Sequence, residues 1–146
     1  MADEQPKDRT EIARQFIEAI PHAKVLGMKL TQVGDARAEI TMPYDARLVG
    51  DPETGVIHGG AVSALMDTCS GAAVMVHPEA PIATATLDLR IDYMRAATPG
   101  DQITTRAECY HIARSVAFVR ATAYDNDFER PVATATGAFT VERAPT

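Results

Sequence analysis

The sequence predicts an α+β domain in which a run of antiparallel strands encloses one long central helix. Three observations carry that expectation. The stretch from Gly59 to about Val76 is almost wholly small or apolar, with Asp67 as its only formal charge, and a helix without a polar face belongs inside a fold. Segments on both sides of it, among them 36–42 and 83–95, alternate apolar and polar residues with the period of half-buried strands. Near the start, Ile12, Phe16, Ile17 and Ile20 keep the spacing of an amphipathic N-terminal helix.

Taken in order, residues 1–7 read as a flexible polar tail and 8–146 as a single domain. Asp8 followed by Glu11 has the form of an N-cap box, and Pro21 stops the helix that it opens. His22 to Leu26 make one more turn, closed by Gly27. From Met28 the period becomes two, so 29–33 and 36–42 form a hairpin about Gly34-Asp35. A long loop runs from Pro43 to Ile57, and loops of that length in a compact domain are often functional. The central helix, about 59–76, ends at the breaker cluster His77-Pro78-Glu79-Ala80-Pro81. In the strand 83–95, Leu87, Leu89, Ile91 and Tyr93 share one face, and Asp88, Arg90 and Asp92 the other. Beyond Pro99-Gly100 come strands starting at Ile103 and Val116, separated by a turn near Ala113-Arg114. Asp125-Asn126-Asp127 is a polar turn into a last strand over 131–142.

Composition narrows the function classes. The chain has 146 residues, 46% of them hydrophobic and 23% charged, with a formal net charge of −6; those are values of an ordinary globular domain. No Lys/Arg run or basic–aromatic cluster occurs, which argues against nucleic acid as a partner. The N-terminus lacks the apolar core of a signal peptide, and a central helix carrying Asp67 and broken by glycine and serine is a poor membrane span. Cys69 and Cys109 have no metal-ligand spacing and read as reduced core thiols. The expectation is a cytoplasmic protein without a metal.

Two features of the central helix point to chemistry. A buried carboxylate such as Asp67 must be compensated or used. At the helix start, Gly59 and Gly60 have no Cβ, so a ligand oxygen can come close to amides that lack intrahelical partners. With the positive end of the helix dipole behind them, those amides form a candidate oxyanion hole. Asp67 lies eight residues beyond Gly59, about 12 Å along the axis. Within one chain that is too far for both to reach one reacting carbon. A second copy running antiparallel across a two-fold axis removes the difficulty, so the spacing predicts a homodimer with its sites shared between subunits.

His58-Gly59-Gly60, with an acidic residue nine positions after the histidine, is followed by Thr86-Leu87-Asp88-Leu89-Arg90-Ile91-Asp92-Tyr93-Met94-Arg95 and Pro99-Gly100-Asp101. These segments resemble the hotdog-fold acyl-CoA thioesterases, most closely the phenylacetic acid degradation (PaaI-like) group, over roughly residues 25–142. The resemblance implies a curved sheet around a central helix, assembly as a dimer or a dimer of dimers (a homotetramer), and hydrolysis of an acyl- or aryl-CoA thioester. It implies no cofactor beyond the coenzyme A of the substrate.

By that resemblance Asp67 is the catalytic acid, acting as general base on a water or as nucleophile. Gly59 donates to the thioester carbonyl, and Gly60 and Ser63 bind substrate beside it. His58 either orders the loop and touches substrate or is a hydrogen-bonded structural histidine. Thr86 stands where relatives carry a Ser or Thr bonded to the catalytic carboxylate or its water; its alternative is a plain strand residue. The family's Asn or Gln, six or seven residues before the histidine, is replaced here by Pro52 and Asp51. Asp51 is then a substitute for it or a simple loop residue. For the coenzyme phosphates the candidates are Arg95, Arg120 and, in a turn with Ser115, Arg114. Two other readings on the same fold stand beside hydrolysis. One is a non-catalytic acyl-CoA-binding or sensor protein, and the other a dehydratase or hydratase, whose chemistry usually needs a His with an acidic partner.

Overall fold

A computed structural model describes residues 9–146; the tail expected over 1–7 and the N-cap box expected at Asp8 lie outside the described residues. Helix α1 (Arg9–Ala19) ends before Pro21, and the proline takes the first position of the short helix α2 (Pro21–Val25). There its missing N–H would have no partner in any case. Gly27 then turns the chain at φ +71°, a conformation that favours glycine, and a Cβ on it would lie 2.9 Å from Pro43 Cγ.

The hairpin expected next is present as β1 (Lys29–Gly34) and β2 (Arg37–Met42). Between Pro43 and Ile57 the expected loop holds more order than the sequence suggests. It contains a single 3-10 turn (Ala46–Leu48) and a small hairpin of β3 (Val49–Asp51) and β4 (Val56–Ile57). Strands of three and two residues are too short to display a period, so alternation could not reveal them. Helix α3 (Gly59–Met75) follows, then β5 (Thr86–Tyr93), β6 (Ile103–Ile112), β7 (Val116–Tyr124) and β8 (Ala133–Thr140). Apart from the small hairpin, the strands form one six-stranded antiparallel sheet in the order β1-β2-β6-β7-β8-β5. No described helix is long and apolar enough to cross a membrane.

The face of the sheet toward α3 is built largely from alanine: Ala107, Ala117, Ala121, Ala123, Ala133 and Ala135 are all buried. Methyl-sized side chains let a helix lie close to a sheet, and the larger Val62, Leu65 and Met66 of α3 fill the space between. Cys69, also on this side, donates its thiol toward Ala38 O (3.4 Å) and Thr105 O (3.3 Å). Burial pushes that thiol's pKa up. Both cysteines are buried and unbridged.

Two expectations are corrected here. The central helix is not wrapped on all sides: the sheet seals one face, while Gly60, Ser63, Ala64, Asp67, Thr68 and Gly71, spaced three and four apart, keep part of their surface exposed. A stripe of Gly, Ser, Ala and Thr gives no polar signal to distinguish it from core. Likewise β5 is no half-buried strand but an edge, with Leu87 59% and Tyr93 52% exposed and only Leu89 and Ile91 partly covered. Its register shifts between Thr86 and Asp88. The bulge leans on Gly137 of β8, where a Cβ would overlap the Asp88 carbonyl and lie 2.9 Å from Leu89 Cδ1. Arg90 pairs with Asp92 at 3.2 Å on its own strand rather than with Asp88. At the opposite edge of the sheet, β1 carries a second register shift between Leu30 and Gln32.

One ion pair ties the connections at the far end of β5. Asp125, only 1% exposed, receives both terminal nitrogens of Arg95 at 2.7 Å, and also the N–H groups of Thr98 and Asp127 at 3.0 Å. The Arg95 guanidinium holds the Asp125 carboxyl far below the usual carboxylate range. A carboxylate depressed on folding contributes stability above its unfolded pKa of about 3.9, and loses it as pH falls through the lower folded value. Asp125→Ala removes the buried carboxylate on which the half-buried Arg95 guanidinium and two N–H groups converge, which costs about 3 kcal/mol, or roughly 10 °C in Tm for a chain of this size. We expect thermal melts at pH 7 to give that loss and the gap between variant and wild type to narrow below about pH 4. Equal melting temperatures at neutral pH would contradict the assignment.

Candidate active site

At the start of α3 the His58-Gly59-Gly60 triplet divides its work in a way that follows from three local contacts. His58 is the N-cap, with extended backbone, and its Nδ1 accepts the Gly60 N–H at 2.8 Å. An accepting Nδ1 puts the ring proton on Nε2. Gly60 makes that cap possible, because a Cβ there would lie 2.8 Å from Nδ1 and 3.1 Å from Cε1. From the other side Gly50 closes on the same residue, its would-be Cβ 3.0 Å from His58 Cα. Gly59 is different. Its N–H has no acceptor among the described residues, while its carbonyl accepts from the Tyr93 hydroxyl at 2.8 Å. The His58 N–H is bonded to Leu48 O at 2.8 Å, so the one free amide of the triplet is that of Gly59.

Asp67 lies two turns further on, on the helix face that the sheet leaves open. The Thr86 hydroxyl, at the bulged start of β5, donates to its Oδ1 at 2.6 Å. That bond fixes one carboxylate oxygen and leaves the other for a water or a substrate. Ser63, on the same face, donates its hydroxyl to Gly60 O at 2.9 Å. The structure thus brings Thr86 to Asp67, and His58, Gly60 and Ser63 to the helix start beside Gly59. Gly59 and Asp67 remain separated along one helix.

The other candidates stand elsewhere. Asp51 is a turn former: its Oδ1 accepts from Glu53 N at 3.0 Å and its Oδ2 from the Thr54 hydroxyl at 2.8 Å. Arg95 was expected at a phosphate, but all five of its guanidinium N–H donors are engaged, by Asp125 and by the Ala96 and Arg130 carbonyls. Arg120 stacks over the Tyr110 ring at 4.0 Å. It alternates with the inward-facing Val119 and Ala121, so it faces away from α3. Arg114 and Ser115 form the exposed β6–β7 turn. The register sets that turn at the Thr86 end of the sheet, opposite the Gly59–Tyr93 junction.

Two hollows flank the free amide. A cleft of about 270 Å³ lies between the helix start and the end of β5, lined by Val56, Ile57, Gly59, Tyr93, Arg95 and Val132. A groove of about 430 Å³ runs past His22, Leu26, Arg47, His58, Gly60 and Ala64. A third hollow of about 450 Å³ lies on the sheet's other face, among Arg37, Glu39, Arg106, Glu108 and Arg120, away from these groups. Tyr93 is the site residue that sequence reasoning missed. Its hydroxyl reaches Gly59 across 34 residues, and no spacing rule announces such a contact.

Residues 54–131 match the family model described as the thioesterase superfamily. The chain belongs to that superfamily. As a thioesterase-superfamily member it is 38% identical to a Pseudomonas aeruginosa protein of known crystal structure, with a TM-score of 0.81 over 91% of this chain and 98% of that one. The E. coli PaaI protein from the phenylacetic acid degradation operon is 22% identical, with a TM-score of 0.81 over 91% of this chain and 93% of its own, and it shares the fold. The P. aeruginosa protein PA0474, which bears the provisional name esterase, is 33% identical over 85 residues. That match takes in 58% of this chain and 62% of PA0474, less than two thirds of its length. The hotdog architecture expected from the sequence is the one observed, with hydrolysis as the general class of chemistry that the superfamily carries.

Capping gives His58 a measurable structural share. His58→Ala removes the acceptor for the Gly60 N–H, and a lost N-cap costs about 1 kcal/mol. Urea titration of the variant should therefore give a lower midpoint with an unchanged slope. A midpoint equal to wild type would mean that the ring does not cap the helix.

Proposed function

We propose that this thioesterase-superfamily chain hydrolyses an acyl- or aryl-CoA thioester to the carboxylic acid and free coenzyme A. The reading rests on one observation: a carboxylate steered by a threonine hydroxyl stands on the open face of a helix whose start carries an unpaired amide. In a homodimer whose α3 helices run antiparallel across a two-fold axis, Gly59 of one copy and Asp67 of the other meet at one carbonyl. The exposed β5 edge, with its uncovered Leu87 and Tyr93, supports such an assembly. A dimer of dimers extends it.

The Gly59 N–H and the helix dipole stabilise the oxyanion that forms as the thioester carbonyl is attacked. Asp67, held by Thr86, takes a proton from a water as that water's oxygen bonds to the carbonyl carbon. Collapse of the tetrahedral intermediate breaks the C–S bond, and the proton on Asp67 goes to the departing thiolate. Direct attack by the carboxylate, through an anhydride that water then opens, uses the same groups. With Arg95 engaged, Arg114 and Ser115 are the phosphate ligands we favour. The buried, unbridged Cys69 and Cys109 fit a reducing compartment such as the cytoplasm.

A second reading, acyl-CoA binding without turnover, is favoured by the loop before the helix. Pro52 has no N–H, and both carboxylate oxygens of Asp51 are held in the hairpin turn, so neither supplies a donor to substrate. A thiol-release screen across aryl- and alkyl-CoA esters separates the readings, alongside calorimetric titration with a non-hydrolysable acyl-CoA. For hydrolysis we expect turnover that Asp67→Asn lowers on the order of 10³-fold or more and Thr86→Val lowers about tenfold. Binding without thiol release would favour the second reading. Full activity in Asp67→Asn would remove the carboxylate from the mechanism.

A further inference from the structure

The structure assigns Tyr93 a positioning role: by holding the Gly59 carbonyl it anchors, from the neighbouring peptide plane, the residue whose N–H is free. The inference rests on the reading of that amide as the oxyanion donor and adds a residue to it. Two successive glycines have the widest backbone freedom of any dipeptide, and the Gly59 N–H has no acceptor of its own to hold it. An oxyanion donor is effective only when it is already aimed, because reorienting it during the reaction consumes the stabilisation it offers.

Four contacts restrain this turn. Three lie outside the six-stranded sheet: the His58 ring on the Gly60 N–H at 2.8 Å, the Ala61 N–H on the His58 carbonyl at 3.0 Å, and the His58 N–H on the Leu48 carbonyl at 2.8 Å. They tie the triplet to itself and to the 3-10 turn before β3 but do not anchor it to that sheet. Tyr93 supplies a long-range contact. Its hydroxyl donates to Gly59 O at 2.8 Å, and its ring sits 3.3–3.4 Å from the point a Gly59 Cβ would occupy. The same strand begins at Thr86, which steers Asp67. One edge strand therefore holds the amide at one end and the acid at the other. Tyr93 is 52% exposed and absent from the buried core, so its hydroxyl can be removed without hollowing the fold.

Tyr93→Phe keeps the ring and deletes the bond. We expect kcat on the best CoA ester to fall about five- to tenfold, with KM within about twofold and Tm unchanged. In 15N relaxation the Gly59 amide should drop from the rigid-backbone order parameter of about 0.85, while amides in the middle of α3 stay as they are. A Gly59 amide equally ordered in the variant, or a kcat loss matched by a lower Tm, would overturn the proposal. Asp67→Asn is measured alongside. If wild type lacks turnover, or that variant keeps it, the hydrolase reading fails, and the Gly59 order parameter still decides the role of Tyr93.

Discussion

Helix α3 can lie flat on its sheet because strands β6, β7 and β8 offer it mostly alanine methyls. That close seating decides what becomes of the helix's two faces. Val62, Leu65, Met66 and Cys69 go to the sheet and are sealed there. The opposite stripe, from Gly60 through Asp67 to Gly71, keeps part of its surface open. An acid on the sealed side would need full desolvation and an internal partner. On the open side Asp67 needs only the Thr86 hydroxyl to orient it.

The helix start obeys a related economy of space. Gly60 makes room for the imidazole that caps it, Gly50 makes room for the same residue from the hairpin, and Gly59 makes room for the Tyr93 ring. Each missing Cβ is thus matched to a particular neighbour. A triplet that reads as a generic loop-to-helix turn is a fitted joint among the β3–β4 hairpin, the helix and β5.

Much of this was legible in the residues. The single charge in an apolar run located Asp67, and the glycine pair located the free amide. Period-two alternation located β2 and the later strands. What escaped has physical causes. Burial of β5 was overestimated because alternation reports that a strand has two faces, not whether anything covers the outer one. The open stripe of α3 was hidden because Gly, Ser, Ala and Thr suit core and surface alike. Arg95 read as a free cation since nothing local betrays an Asp125 thirty residues away. The Tyr93–Gly59 bond joins segments whose proximity only the fold creates.

The two edges of the sheet differ in a way that bears on how far assembly can go. β5 presents a charged edge in which Asp88, Arg90 and Asp92 alternate with apolar residues, and β1 is interrupted by its bulge near Leu30. A strand that joins its own counterpart through a two-fold axis uses up the same edge on both molecules, and growth halts at a closed pair. Joining β5 to β1 of the next molecule would leave a fresh β5 exposed at every step and build a fibre without end. The kink in β1 spoils that second geometry, so an open strand at one side of the sheet need not make the protein polymerise.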